Sequence, residues 1–342
     1  MTVTAAALHQ TLSHIQIGGN VCRYSLEYCE RYAPVINRIQ ALKKEKNALV
    51  LAHSYVSPDI IYGVADHVGD SFELSKIAQN TTHDVIIFAA VKFMAETAKI
   101  LNPTKQVYVP SPINGCSLAD SIDAKTVQAL KEQYPDYAFI CYINTTAAVK
   151  ALCDCCVTSS NVYKIVEHYP SDKIYFLPDQ LMGQNVAAYL NERGIQKTFK
   201  YYHGTCYVHE EYDPDMIDYL RLTYPDAAIV SHPECKPSII EKSTFVGSTS
   251  QMVEYVKTTQ HDHYVMLTEC GLTSRLQLED PTKRFIGSCT MCKYMKSNRL
   301  DQIEAILTNP QPDLCIELSD HVIETAKRSL QMMFKYSQVG RS

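Results

Sequence analysis

Short apolar runs of strand length alternate with amphipathic helical segments along most of the chain, and the alternation occurs in three similar copies. Each copy opens with an apolar run that passes into polar residues, in the segments ALVLAHSY, YAFICYIN and AAIVSHPE. A loop with hydroxyl residues follows 16 to 18 positions later and opens a predicted helix. The first polar landmarks are His53, Tyr142 and His232, and the hydroxyl residues are Ser71, Ser159, and Ser248 with Thr249.

A third shared element is an apolar run that passes into a helical pattern, and a further predicted strand that ends in a cysteine follows it in each copy. These cysteines are Cys116, Cys206 and Cys292, separated by 90 and 86 positions. The distances from the first landmark to the cysteine are 63, 64 and 60 residues. Such spacing is too wide for a compact metal motif, and it indicates a triplicated domain in which each copy donates one thiolate to a shared centre.

Strands that alternate with helices predict parallel sheets with right-handed crossovers, so the fold class is α/β. We expect three similar α/β/α layered domains, arranged with pseudo-threefold symmetry around a central active site, because ligands of such sheets bind beyond the carboxyl ends of the strands. The predicted division is an N-terminal extension at 1–35, repeats at 36–125, 126–215 and 216–300, and a C-terminal helical extension at 301–342.

Composition narrows the class of protein. The chain has 342 residues, with 32 basic and 37 acidic side chains, so it offers no basic footprint for nucleic acid or an anionic membrane. No apolar stretch reaches the roughly 18 to 20 residues that span a bilayer, and the first residues lack the pattern of a signal peptide. We therefore expect a cytoplasmic protein, in which 13 cysteines indicate metal binding, catalysis or buried thiols rather than disulfides.

Three converging thiolates suit a soft metal centre, which leaves zinc and an iron–sulfur cluster as the choices. A structural zinc ordinarily needs a fourth Cys or His, whereas a cluster held by three cysteines leaves one iron without a protein ligand. Another cysteine group, Cys153, Cys155 and Cys156, looks like a metal motif. It lies in a predicted helix-to-loop stretch without a counterpart in the other copies, so a structural role is favoured.

Residues of about 36 to 300 resemble the quinolinate synthase family. The resemblance rests on the ordered segments AHSYVSPDIIYGVADHVGDSFELSKIA, FAAVKFMAETAKIL, GCSLADS, YINTTAAVKALCD, TSSN, PDQLMG, SHPECKP, GSTSQM and TECGL. It implies an enzyme of NAD biosynthesis that condenses iminoaspartate with dihydroxyacetone phosphate to quinolinate, phosphate and water. It also implies one 4Fe-4S cluster per chain, which acts as a Lewis acid in dehydration, and a functional link to an L-aspartate oxidase or dehydrogenase that supplies iminoaspartate.

The resemblance implies Cys116, Cys206 and Cys292 as the cluster ligands. The family usually has Cys-Pro-x-Met at the third position, whereas Lys293 follows Cys292 here and Met295 keeps its offset. We assign Cys292 rather than Cys289, which forms a Cys-x-x-Cys pair with it and whose role stays open.

The substrates bring two carboxylates and a phosphate, so the pocket needs several anion sites. Hydroxyls and free backbone N–H groups at helix starts meet this need, although ordinary N-capping is the alternative for any one of them. Together with the resemblance, this predicts a substrate-binding set of His53, Ser71, Tyr142, Ile143, Asn144, Ser159, His232, Pro233, Glu234, Ser248 and Thr249.

Proton transfers in the condensation and the dehydrations require acids and bases near the bound substrates. The candidate catalytic residues are His53, Tyr55, Tyr142, His209 and Glu234. Glu269 is a candidate for positioning the triose or bracing the cluster loop. Two other functions stay open on the sequence: a radical enzyme resembling the diphthamide-synthesis proteins, which would reduce S-adenosylmethionine, and an iron or redox sensor.

Overall fold

Three four-stranded parallel sheets form the framework of the protein in a computed structural model, which describes residues 2–15, 23–286 and 290–339. Each sheet has the same strand order, in which the first strand of a unit lies between its second and third strands and the fourth strand lies at the edge. The predicted α/β class and the three similar domains are confirmed. The predicted domain boundaries stay predictions, and helix α2 (Leu26–Glu45) runs through residue 36.

The first unit follows two N-terminal helices and contains the sheet β2-β1-β3-β4. Its central strands are buried along nearly their whole length, which explains why their sequences are almost continuously apolar. The elements are α1 (Ala5–Leu12), α2, β1 (Ala48–His53), α3 (Pro58–Gly63), β2 (His67–Gly69), α4 (Ser71–Asn80), β3 (Val85–Ala89), α5 (Lys92–Leu101) and β4 (Gln106–Tyr108).

The second unit repeats this order with the sheet β6-β5-β7-β8. The register sets Ile140 opposite Phe176 in the middle of the sheet, as Val50 lies opposite Ile87 in the first unit. The elements are α6 (Ala124–Gln133), β5 (Ala138–Tyr142), α7 (Ala147–Lys150), β6 (Cys155–Val157), α8 (Val162–His168), β7 (Lys173–Leu177), α9 (Gln180–Glu192), β8 (Thr198–Tyr201) and α10 (Tyr207–Glu210).

The third unit has the sheet β10-β9-β11-β12, and three helices and a 3-10 turn follow this sheet. A small separate core around Ile217, Ile229 and Val265 lies within this unit, whereas one large core joins all three units. The elements are α11 (Pro214–Thr223), β9 (Ala228–Ser231), α12 (Pro237–Glu241), β10 (Phe245–Val246), α13 (Thr249–Thr258), β11 (His263–Leu267), α14 (Cys270–Glu279), β12 (Arg284–Ile286), α15 (Lys293–Lys296), α16 (Leu300–Thr308), a 3-10 turn (Pro312–Leu314) and α17 (Asp320–Gln338).

The C-terminal residues close the framework from outside. Cys315 forms an antiparallel bridge with Tyr108, and the Ile316 N–H donates to the Val107 carbonyl at 2.8 Å, so the chain adds to the edge of the first sheet. Helix α17 packs against β6 and against helices of the first and second units. Among the described residues, none of the helices is both long enough and apolar enough to cross a lipid bilayer.

Two local predictions are wrong. The cysteine-bearing strands β4, β8 and β12 end five to eight positions before their cysteines, which lie in the loops that follow. Cys155 and Cys156 lie in edge strand β6, not in a helix-to-loop stretch. The edge strands β2 and β10 occupy the same place in their sheets, but they contain no cysteine. Strands of two or three residues are set by backbone pairing with a neighbour, and a sequence pattern so short carries little periodicity.

Candidate active site

The three units together line one cavity beyond the carboxyl ends of their strands. Such an edge is where parallel sheets bind ligands. Most of the residues predicted as functional line this cavity, and every unit contributes to it. They are His53, Tyr55, Ser71 and Cys116 from the first unit, Tyr142, Asn144, Ser159, Cys206 and His209 from the second, and His232, Glu234, Thr249 and Cys292 from the third.

Three predicted substrate-binding residues do not line the cavity. The backbone carbonyls of Ile143 and Pro233 accept hydrogen bonds from Lys150 Nζ and Asn185 Nδ2, each at 2.8 Å. Ser248 is fully buried as the N-cap of α13. These residues support the loops that carry the cavity-lining side chains, and their contact with substrate stays a prediction.

The three cysteine loops share one backbone geometry. Each cysteine carbonyl accepts a hydrogen bond from the N–H four residues later, at 2.8 to 3.0 Å, and the carbonyl two residues before the cysteine accepts another from the start of the preceding long helix. The donors to the cysteine carbonyls are the N–H groups of Asp120, Glu210 and Lys296. In the second set of bonds, the N–H groups of Lys92, Gln180 and Cys270 donate to the carbonyls of Asn114, Gly204 and Thr290, respectively. The three units are therefore alike even in the backbone hydrogen bonds that position each thiol.

Contacts between neighbouring units join these loops into a ring. Each contact links a cysteine loop to the next one around the cavity. They are Ser117 Oγ to the Thr205 carbonyl at 3.2 Å, the Lys293 N–H to Tyr207 Oη at 2.8 Å, and Ser297 Oγ to the Ile113 carbonyl at 2.8 Å. The ring fixes three thiols from distant parts of the sequence on one side of the cavity.

The chemistry of the three thiols fits a metal centre. Burial raises the pKa of Cys116 to about 12, with a further increase from the charge of Cys292, and it also raises the pKa of Cys206 and Cys292. With raised pKa values the three thiols stay neutral near pH 7, and they would lose their protons only beside a positive ion such as a metal. Cys206, His209 and Glu234 also place potential ligand atoms within 4.8 Å of one another. Cys289 lies outside the described residues.

A buried carboxylate, Glu234, joins the second and third units. Tyr142 donates its hydroxyl to Glu234 Oε1 at 2.5 Å, and His209 Nδ1 lies 2.9 Å from Oε2. Burial alone would raise the pKa of Glu234, but the neighbouring imidazoles of His209 and His232 and the Tyr142 hydroxyl outweigh burial and hold this pKa below its ordinary value. Burial and the Glu234 charge raise the pKa of Tyr142, so its proton stays on the phenol.

Two histidines occupy equivalent turns in the first and third units. His53 Nδ1 accepts the N–H of Tyr55 at 3.2 Å, and His232 Nδ1 accepts the N–H of Glu234 at 3.3 Å. Each neutral ring therefore carries its proton on Nε2. Burial lowers the pKa of His53 to about 4 and that of His232 to about 3, so both are neutral near pH 7.

The hydroxyl residues separate into a capping group and a cavity group. Ser248 is the N-cap of α13 and forms a capping box with Gln251, as ordinary capping predicts. Ser71 and Thr249 are instead the first residues of their helices, and Asn161 rather than Ser159 is the N-cap of α8. Capping therefore does not account for the three hydroxyls that line the cavity.

Sequence reasoning missed residues that connect the units around the site. Thr268 Oγ1 lies 2.6 Å from Tyr55 Oη and 3.0 Å from His209 Nε2, and Thr249 donates to Tyr55 Oη at 3.0 Å. A threonine after a strand carries no signal of this kind in the sequence. Asp70 also lines the cavity, and its position directly before Ser71 gave a capping signal that could have marked it.

The prediction that Glu269 braces the cluster loop agrees with its contacts. Its carboxylate accepts the N–H of Cys292 at 3.3 Å and pairs with Lys296 Nζ at 2.9 Å. Lys296 also donates to the backbone carbonyl of Tyr55 at 2.5 Å, so it joins the third cysteine loop to the first unit. Burial raises the pKa of Glu269 against the opposing charge of Lys296.

Comparisons with known proteins agree with this arrangement. A family model described as "Quinolinate synthetase A protein" matches residues 37–335. The quinolinate synthase of Aquifex aeolicus (strain VF5) is 42% identical over 306 residues, which cover 87% of this chain and 93% of that protein. The quinolinate synthases of Caulobacter vibrioides (strain NA1000 / CB15N) and Alkaliphilus metalliredigens (strain QYMF) are each 39% identical to this chain, and each match covers 88% of it. The matches cover 81% of the Caulobacter protein and 98% of the Alkaliphilus protein.

Proposed function

Because the chain belongs to the quinolinate synthase family, we propose that it condenses iminoaspartate with dihydroxyacetone phosphate to form quinolinate, phosphate and two molecules of water. The reaction would serve NAD biosynthesis. An L-aspartate oxidase or dehydrogenase would supply the iminoaspartate. The reaction uses only small molecules, in keeping with a mixed surface charge of 32 basic and 37 acidic residues, and we propose a cytoplasmic location.

The observation that carries the proposal is the composition of the cavity. One thiol, one hydroxyl at a helix opening and at least one acid or base come from each unit and line the same cavity. A multistep condensation of anionic substrates needs these three kinds of group together: anion donors, proton carriers and a centre that helps hydroxyl groups leave. A sensor of iron or redox state would need only the thiols.

We propose that Cys116, Cys206 and Cys292 hold one 4Fe-4S cluster. Their loops share the same hydrogen-bond geometry, and their raised thiol pKa values favour ionisation only with a bound cation. When bound, the cluster would supply a Lewis-acidic iron that favours loss of hydroxide during dehydration.

The hydroxyl side of the cavity would bind the anionic groups of the substrates. Ser71 and Thr249 begin ten-residue helices, whose dipoles favour a carboxylate or phosphate beside these hydroxyls. Ser159 and Asn144 add hydrogen-bond donors from the second unit. Neutral His53 and His232 can donate from Nε2 to a carboxylate without a change of charge.

Proton transfers would centre on Glu234. Its ionised carboxylate can accept a proton from the substrate side through Tyr142 or His209, both of which are within hydrogen-bond distance. His209 also contacts Thr268, which contacts Tyr55, so a chain of hydrogen bonds leads across the cavity to the first unit. Such a chain lets one residue release a proton while another returns it in the later dehydrations.

An anaerobic assay tests the proposal directly. The protein, reconstituted with iron and sulfide without oxygen, is incubated with dihydroxyacetone phosphate and iminoaspartate generated from oxaloacetate and ammonia. We expect quinolinate, identified by mass spectrometry, and no quinolinate from protein kept free of iron. Parallel incubation with S-adenosylmethionine and a reductant tests the radical alternative. Consumption of S-adenosylmethionine with no quinolinate would contradict the proposal.

A further inference from the structure

Asp70 lies where the three units meet at the hydroxyl side of the cavity. Its Oδ1 atom accepts the N–H groups of Phe72 and Glu73 at 3.0 Å each, as the N-cap of α4. Its Oδ2 atom accepts the hydroxyls of Ser160 at 2.6 Å and Ser248 at 3.1 Å. One carboxylate of the first unit is thus bonded to a serine of the second unit and a serine of the third.

Asp70 and its two serine partners are each next in sequence to a hydroxyl residue that lines the cavity. Ser71 follows Asp70, Ser159 precedes Ser160, and Thr249 follows Ser248. A shift of any of these backbone segments would move the adjacent cavity hydroxyl by a similar amount. The orientation of all three hydroxyls therefore depends on one central acceptor.

The carboxylate is suited to join groups rather than to bind a ligand. Both of its oxygens are occupied by donors, and it is buried. Burial would raise the pKa of Asp70, but the Ser160 and Ser248 hydroxyls and the Glu73 N–H outweigh burial and lower it, so the group is charged near pH 7. A serine oxygen can accept two hydrogen bonds at most, whereas this carboxylate accepts four, from two backbone N–H groups and two hydroxyls. A serine at this position could not hold both partners in the same way.

We propose that Asp70 is a positioning residue for anion binding, whose carboxylate holds the helix openings of all three units so that Ser71, Ser159 and Thr249 face the bound anions. The inference rests on the proposed function, because it assigns those hydroxyls to the carboxylates and phosphate of the substrates. Asp70 itself contacts no substrate in this scheme. Its loss weakens binding of the anions, while His209 and Glu234, which lie beside Cys206, keep their places.

Asp70→Ser is the test variant, because serine still caps a helix but is too short to reach both partner hydroxyls. Asp123→Ser is the matched control, since Asp123 caps α6 through the Thr126 N–H at 2.7 Å and forms no hydrogen bond with another unit in the part of the chain that the structure describes. Ser160→Ala removes one partner without removing a cap. It serves as the second test variant if Asp70→Ser does not fold.

The readouts are the Kd for quinolinate and for inorganic phosphate, by calorimetric titration of the reconstituted protein, together with KM, kcat and the melting temperature. We expect Asp70→Ser to raise Kd and KM about tenfold, with kcat within about threefold of the parent. Ser160→Ala should raise them less. The double variant should resemble Asp70→Ser alone, because both changes break the same bond.

Unchanged Kd and KM in Asp70→Ser, with only a lower melting temperature, would overturn the inference and leave Asp70 as a structural brace. Equal effects in Asp123→Ser would overturn it too, since loss of a cap would then suffice. If the parent protein forms no quinolinate, the proposed function fails instead. The phosphate titration still decides the role of Asp70 in that case, with a tenfold rise supporting it and an unchanged Kd opposing it.

Discussion

Two sides of the cavity use the triplicated fold in different ways. The cysteine side, made of the loops around Cys116, Cys206 and Cys292, repeats the same residue and the same backbone hydrogen bond three times. The hydroxyl side, made of Ser71, Ser159 and Thr249, repeats only the position, since its residues, its caps and its contacts differ among the units. Its centre is a single carboxylate from the first unit, Asp70.

The difference follows from what each side would bind. Three equivalent ligands suit a symmetric metal cluster, so the cysteine side keeps its symmetry. The proposed substrates have unlike groups, two carboxylates on one and a phosphate on the other, so the hydroxyl side has to differ from unit to unit. The repeated fold therefore supplies three copies of each binding position. The residues at these positions are alike on the cysteine side and differ on the hydroxyl side, so the two sides of the cavity suit different ligands.

The largest effect should come from breaking the symmetry of the cysteine side. Cys116→Ala, Cys206→Ala and Cys292→Ala should each abolish quinolinate formation, because each removes one of the three proposed ligands of the cluster. The measurement is quinolinate formed under anaerobic conditions. Cys315→Ala is the control, since Cys315 lies outside the cavity and bridges to Tyr108. Activity near the parent level in any of the three cavity variants would mean that the thiols are not equivalent.

Replacing the carboxylate that joins the second and third units should have the next largest effect. Glu234→Gln keeps the shape of the side chain but removes the charge that faces Tyr142 and His209. We expect kcat to fall about 10²- to 10⁴-fold, the usual range for loss of an acid–base group. Steady-state kinetics of this variant and of the exposed control Glu254→Gln check it. A change in KM alone would assign Glu234 to binding instead.

Acid should destabilise the cavity through its buried histidines. The pKa of His53 is about 4 in the folded protein and about 6.5 in its ordinary state, so the unfolded chain binds more protons between these values. Stability is therefore retained above pH 6.5 and falls as the pH drops toward 4, by up to about 3 kcal/mol for this residue.

Urea unfolding at pH 7, 6 and 5 measures this dependence. In His53→Gln the unfolding free energy should fall less steeply with acid than in the parent, whereas the exposed control His168→Gln should follow the parent curve. Parallel curves for all three proteins would show that His53 takes up its proton at the same pH in the folded and unfolded chains.

A smaller effect is expected on the hydroxyl side. Ser159→Ala removes one cavity hydroxyl that is not a helix cap, and we expect KM for dihydroxyacetone phosphate or iminoaspartate to rise about tenfold with little change in kcat. The substrate whose KM rises is the one whose anionic group Ser159 contacts. Ser250→Ala, which alters a half-buried serine of α13 that contacts Glu73, is the control. Equal KM values for parent and Ser159→Ala would remove this residue from the binding set.

Much of this cavity could be predicted from the sequence because the repeats mark it. Ordered apolar runs fixed the position of every central strand, and residues at the ends of those strands had to meet at one edge of their sheets. Cys116, Cys206 and Cys292 were found by their spacing, with the family resemblance deciding between Cys292 and Cys289, and they do line one cavity.

The contacts between units could not be predicted in the same way. Asp70 meets Ser160 and Ser248 across 90 and 178 positions of sequence, and no local pattern records such a meeting. Thr268 joins Tyr55 of the first unit to His209 of the second, and no local pattern in the sequence records this contact either. The short strand that contains Cys155 was missed because pairing with β5, rather than its own residues, makes it a strand.

In the proposed centre, three thiols, one from each unit, hold a single 4Fe-4S cluster. Iron and acid-labile sulfide content after anaerobic reconstitution tests it most directly, in the parent protein and in Cys116→Ala, Cys206→Ala, Cys289→Ala and Cys292→Ala. We predict about four iron and four sulfide per chain in the parent and in Cys289→Ala, and loss of the full cluster in the other three variants. A full cluster in Cys292→Ala that disappears in Cys289→Ala, or a parent that binds zinc without sulfide, would contradict the account.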